Sequence, residues 1–184
     1  IIRNPDIVIT DGAFNDCTNI SYVEMPAHAL DYVPRGNIVT AVITSGTTLS
    51  DSIFRDNQTI QSVTLPATLT SVSYCAFADC PKLTSVTFAE NSNITRFERS
   101  AFGGCTALES ITLPDSLEFI AIKAFADCTK LGSIVIPASV TTFEDEVFAG
   151  CTALRSVTFE ENSEFTTMGG GIFNGCSALQ TVDF

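Results

Sequence analysis

Tryptophan is absent from this 184-residue chain, histidine occurs once and methionine twice. A single histidine cannot build a His-rich metal centre, and no serine or cysteine stands near it in a nucleophile motif. Basic residues are scarce, nine against 21 acidic, so the formal net charge is −12. A chain so charged repels nucleic acid and anionic membrane surfaces, and no basic cluster offsets the repulsion. No apolar run approaches the roughly 18 residues that span a bilayer, so direct membrane insertion of this segment is not expected. Charged residues make up only 16% and apolar residues 45%, which excludes a disordered chain. No signal peptide opens the sequence. Ile1 and Phe184 both fall inside repeats, and the expectation is a trimmed piece of a longer protein.

What the chain does have is one phrase said many times. Ala124 to Ile136 is its cleanest copy, followed by Pro137. The phenylalanine of the phrase recurs at Phe14, Phe54, Phe77, Phe102, Phe125, Phe148 and Phe173. Three residues after each comes Cys17, Asn57, Cys80, Cys105, Cys128, Cys151 or Cys176. A further three residues on stands a leucine or isoleucine, then two apolar positions spaced by two. From Phe54 the steps are 23, 25, 23, 23 and 25 residues. A period of about 20–29 residues marks a leucine-rich type of solenoid. Such units bury their apolar faces only against one another.

The spacing predicts a single solenoid domain over 1–184, with about eight repeats, β-dominated, with one parallel sheet and short 3-10 or helical turns. Alternating apolar residues such as Ile111 and Leu113 predict a short strand. Pro66, Pro114 and Pro137 end it, because proline lacks an N–H. A second apolar pair, such as Leu117 and Ile120, predicts another short extended segment across the coil. Two repeats lack the proline and carry two extra residues, Phe88-Ala-Glu-Asn-Ser-Asn-Ile and Phe159-Glu-Glu-Asn-Ser-Glu-Phe. Asn and Ser there favour a wider turn. The stretch between Cys17 and Phe54 is irregular, and Val33, Val39 and Val42 are expected to mark a degenerate second repeat. Stacked at about 4.8 Å, eight turns give a sheet on the order of 35–40 Å long.

The phrase Ala-Phe-x-x-Cys-x-x-Leu-x-Ser-Ile/Val-x-Leu/Ile-Pro resembles the BspA-like, or Treponema-type, leucine-rich repeat, with seven near-matches from Phe14 to Phe184. The resemblance implies a leucine-rich-repeat right-handed coil. It also implies an extracellular or cell-surface protein that binds a host or neighbouring-cell surface or matrix protein, or a glycan. It carries no shared catalytic residues, so the chain is expected not to be an enzyme, with no cofactor and no metal.

The cysteines fill one repeat phase and read as a ladder of small buried thiols. Cys75 falls outside that phase and is expected to be partly exposed. His28 reads as an exposed turn residue. Glu144-Asp145-Glu146, and Glu160-Glu161 with Glu164, read as solvated acid rather than Ca²⁺ sites, since no Asp-x-Asp-x-Asp-Gly pattern is present. Sequons occur at Asn19, Asn57 and Asn93. The outward strand positions repeat as Ser62/Thr64, Ser85/Thr87, Ser110/Thr112 and Ser156/Thr158, interrupted by Val135. The plain reading is strand propensity; the functional one is a recognition surface, since solenoid faces are extended platforms. The candidate ligand-binding residues are Gln61, Thr64, Thr87, Glu109, Thr112, Arg155 and Thr158. The alternative is a structural spacer within a larger surface protein.

Overall fold

A computed structural model of the chain describes residues 1–2 and 4–184. Its strands, in chain order, are β1 (Tyr22–Met25), β2 (Thr40–Ile43), β3 (Ser62–Leu65), β4 (Ser71–Val72), β5 (Ser85–Phe88) and β6 (Arg96–Phe97). They continue with β7 (Phe119–Ile120), β8 (Ser133–Ile136), β9 (Thr142–Phe143), β10 (Ser156–Phe159), β11 (Thr167–Met168) and β12 (Thr181–Asp183). Every pairing among them is parallel. The longer strands form a front face, and the two-residue strands form a five-stranded back sheet in the order β11-β9-β7-β6-β4. Apolar residues alternate inward along each front strand, as at Val63 and Leu65 or Ile134 and Ile136. The chain is thus a parallel β-solenoid whose core lies between the two faces.

The front face is not one continuous sheet. It divides into β1-β2-β3-β5 and β8-β10-β12. Residues 110–113, which continue the same positions in the coil between, pair with neither piece, although Gly132 N–H still donates to Glu109 O just before them. The cause is local. Ala89 closes the preceding ladder by donating its N–H to Leu65 O at 2.9 Å. One coil later Pro114 holds that place and has no N–H to give. Pro137 repeats the loss in the next coil. Two consecutive missing donors, set against a coil two residues longer, release the segment.

The third edge is where coils are tied without interruption. Phe54 N–H donates to Ala76 O at 2.8 Å, Phe77 to Ala101 at 2.9 Å, Phe102 to Ala124 at 2.9 Å, Phe125 to Val147 at 3.0 Å and Phe148 to Ile172 at 3.0 Å. Flanking rows do the same, through Ser52, Cys75, Ser100, Lys123 and Glu146 on one side and Asp56, Asp79, Gly104, Asp127 and Gly150 on the other. The aromatic rings lie over one another. From Phe54 through Phe77, Phe102, Phe125 and Phe148 their centroids step by 5.6, 5.5, 5.5 and 5.6 Å, with planes within 13°. Phe97 meets Phe102 and Phe125 edge-on, joining the back sheet to this column.

The turn holding each ring is of the expected short 3-10 type, without forming a continuous helix. It is a run of tight i→i+3 turns, for example Gly103→Ser100, Cys105→Phe102 and Leu108→Cys105. Left-handed residues stand two before and two after the ring: Ser100 and Gly104, Lys123 and Asp127, Glu146 and Gly150. The later position is always Asp or Gly, the types that tolerate positive φ. At Gly150 a Cβ would also collide with the Asp127 carboxylate. Among the described residues the only 3-10 helix is Ala27–Tyr32.

The irregular stretch keeps the coil, with a shortened turn between β1 and β2. Tyr22 pairs with Thr40, and Thr40 with Ser62. The inward residues there are Ile38, Ala41 and Ile43, with Val33 also buried. Val42 faces outward in β2, and Val39 is half-buried just before that strand. Cys75, expected to be partly exposed, is only 6% exposed. Its N–H donates to Arg99 O and its neighbour Tyr74 accepts from Ser52. Coil-to-coil bonding at that turn leaves its thiol no path outward.

Candidate functional site

The front face presents two hydroxyl columns in register. Ser62 pairs with Ser85 and Thr64 with Thr87; Ser156 pairs with Ser133 and Thr158 with Val135. Alternation puts Val63, Val86, Ile134 and Val157 in the core and leaves these residues outside. Of the seven predicted site residues, Gln61, Thr87, Glu109, Thr112 and Arg155 are exposed, while Thr64 and Thr158 are half-buried. Lys130 Nζ lies 3.9 Å from Glu109 Oε1. Val135, 53% exposed, is an apolar break in the threonine column.

The structure brings Thr87 and Thr112 to opposite walls of one cleft of about 570 Å³. Phe88, Glu90 and Asn91 line the wall of the longer coil, and Leu113 and Asp115 line the other. Phe88 is held by Phe97, their rings stacked at 5.7 Å. Ser116 Oγ donates to Ile94 O at 2.8 Å and fixes the second wall. Phe88, Glu90, Asn91 and Asp115 were not among the predicted site residues. Their signal was the two-residue insertion after Phe88, which reads only as a wider turn until the next coil is seen beside it. Gln61, Thr64, Arg155 and Thr158 lie on other coils and do not join this cleft. A second cleft, about 510 Å³, borders the other long coil, with Thr158, Phe159, Glu161, Asn162 and Asp183 in its lining.

The other candidate groups have structural partners. The thiols of Cys80, Cys105, Cys128, Cys151 and Cys176 each donate to the carbonyl of the phenylalanine one coil back, at 3.0–3.2 Å. Burial pushes Cys80 and Cys151 up to about 12, and Cys105 and Cys128 well above the ordinary thiol value. Such thiols are protonated and unreactive at neutral pH. Asn57 takes the thiol's place in its coil. It is 6% exposed, its Nδ2 donates to Arg35 O and its Oδ1 accepts from Thr59 and Ile60 N–H. Its sequon is therefore closed to a glycosylating enzyme in the folded state.

The acidic runs cap backbone. Glu144 accepts from Ile122 N–H at 3.0 Å, Asp145 from Gly170 at 2.7 Å and Glu160 from Ala138 at 3.1 Å. Among the described residues no three His, Cys, Asp or Glu side chains group to hold a metal. His28 is exposed, with Nε2 3.0 Å from Ile7 O. No helix among the described residues is long and apolar enough to cross a membrane.

Stacked parallel coils, a phenylalanine column and a Cys-to-carbonyl rung in five of the coils form one repeated pattern. The family description "BspA type leucine rich repeat region" matches in six copies, over residues 2–91, 31–118 and 91–184. The chain belongs to the BspA-type leucine-rich repeat family. Among solved structures it is similar to a leucine-rich cell surface protein from Faecalibacterium prausnitzii, at 25% identity and TM-score 0.69, covering 97% of this chain and 55% of that one. It is also similar to the leucine-rich repeat protein of T. pallidum, at 22% identity and TM-score 0.63, covering 87% and 84%. The pneumococcal vaccine antigen PcpA aligns at 20% identity and TM-score 0.63, covering 92% of this chain and 41% of PcpA. The chain thus spans about half the length of the F. prausnitzii protein. No curated protein matches it.

Proposed function

We propose that this chain is a non-enzymatic binding module of an extracellular or cell-surface protein, and that it recognises a protein or glycan through its front face. The observation that carries the reading is the array of exposed and half-buried hydroxyls, in register within each of the two front sheets and bordered by an irregular column that includes Gln61, Glu109 and Arg155. Short hydroxyl side chains on stiff strands lose little entropy on contact, and the bordering charges supply specificity rather than bulk affinity. Similarity to a cell surface protein supports the location.

The test replaces Thr87, Thr112 and Thr158 together with lysine. Binding to arrays of matrix proteins and glycans is expected to drop at least about tenfold, the effect of losing more than about 1.4 kcal/mol, with an unchanged melting temperature. Retained binding would move the site off this face. The partial coverage of the F. prausnitzii protein favours a second reading, in which the coils space apart domains that do the binding. Under it the triple variant binds as the parent does.

A further inference from the structure

We propose that the open junction between β5 and residues 110–113 takes an extended peptide strand of a partner protein, one that carries a lysine or arginine. This deepens the surface-binding reading and rests on it. The main chain supplies the first reason. Ser85 and Ala89 donate their N–H groups down to Gln61 and Leu65. In a parallel ladder alternate residues face opposite neighbours, so the amides and carbonyls of Val86 and Phe88 face the next coil. Those of Ser110 and Thr112 face back toward them. Among the described residues no backbone bond joins the two rows, and the cleft of about 570 Å³ lies at their C-terminal end. Its two walls are therefore strand edges with unused hydrogen-bonding groups, the template that strand addition uses.

The side chains say which strand. Val86, Leu113 and the half-buried Phe88 ring give an apolar floor. Glu90 and Asp115 stand exposed at the mouth, and neither is in an ion pair among the described residues. An apolar residue pointing in and a cation beside it satisfy both. β5 is four residues long, about 13 Å at 3.3 Å per residue, so a short extended segment suffices. A glycan has no alternating N–H and C=O to match these edges.

The probe is a fluorescent eight-residue peptide alternating valine and lysine, compared with the same peptide N-methylated at every second residue. Methylation removes main-chain donors and leaves the charge. Saturable binding is expected for the first, weakened at least about tenfold by methylation, as loss of two or more hydrogen bonds implies. Pro114→Ala returns an N–H to face Phe88 O, and it is expected to weaken the peptide while leaving the melting temperature within a few degrees. Equal binding of the two peptides, or no saturable binding of either, overturns the proposal. If the peptide fails while the triple lysine variant still abolishes array binding, the strand slot falls and the front-face reading stands. If the triple variant binds arrays unchanged while the peptide titrates as expected, the reverse holds.

Discussion

Two coils carry almost the same phrase and meet their successors differently. Val86-Thr87-Phe88-Ala89-Glu90-Asn91-Ser92 and Val157-Thr158-Phe159-Glu160-Glu161-Asn162-Ser163 share six of seven residues and the same two-residue lengthening. After the second, β10 pairs in register with β12, Ser156 with Thr181 through Thr158 with Asp183. After the first, the ladder stops. Extra length alone therefore does not part the coils. The first long coil is followed by Leu113-Pro114, and proline denies the closing bond. Pro66 shows the complement: it follows a coil of ordinary length, and β3 still pairs with β2 over three residues. After β5 the opening combines a wide coil with a following proline, and beyond residues 110–113 a second proline, Pro137, accompanies the gap before β8 across a coil of ordinary length.

The largest perturbation tests what both long coils share. The thiols sit on the uninterrupted edge, and their values are raised, so the neutral form is favoured in the fold. That stability is fully present below the unfolded value near 9 and is lost as pH climbs toward about 12. Each such thiol costs about 1.4 kcal/mol per pH unit over that span. Unfolding free energies from urea titrations at pH 8 and pH 10.5 should differ by several kcal/mol in total, with both clefts melting together. Equal free energies would mean the thiols are not buried as described.

Next in size is Phe125→Ala, which empties one rung between the two long coils. The expected loss is about 3–5 kcal/mol from cavity formation, read by thermal or urea denaturation. A loss under about 1 kcal/mol would remove the ring column as the main support. The smallest change sharpens the contrast itself. Ala89→Pro should cut the bond to Leu65 O and cost about 1 kcal/mol. Pro114→Ala should restore one bond, largely offset in stability by the freer unfolded chain. Amide hydrogen exchange resolves what stability does not, through slower exchange at residue 114 in the second variant. Exchange there as fast as at an exposed loop amide would mean that proline is not what holds the junction open.

Much of this was legible in the sequence, because a repeat writes its packing many times. Phe77, Phe102, Phe125 and Phe148 announce one column by spacing alone, and Leu117 with Ile120 announce the back sheet. Less visible was anything set by the neighbour one coil away. Pro114 marks the end of a strand in its own coil; that it also leaves Phe88 O without a donor depends on a residue 26 positions earlier. The Asp-or-Gly rule two residues after each ring was readable, at Asp56, Asp79, Gly104, Asp127 and Gly150, yet its meaning is a backbone angle rather than a side-chain contact. Cys75 and Asn57 were misjudged or unresolved for a related reason. Their burial comes from coils above and below, which local polarity does not report. Which of Val33, Val39 and Val42 enters the core was not legible, because a shortened coil removed the repeat as a guide to register.

The bonding along the phenylalanine edge has an electrical consequence. The peptide that accepts from Phe54 also donates, through Phe77 N–H, to the coil beyond, and so on to Ile172. Three such files run side by side with every N–H aimed toward the later coils, whereas bonds within a parallel ladder alternate in sense. Aligned peptide dipoles of about 3.5 D add head to tail, as they do in an α-helix, and each polarises the next. One margin of this β-solenoid is thus a helix-like electret laid along the stacking axis, and every further coil lengthens it.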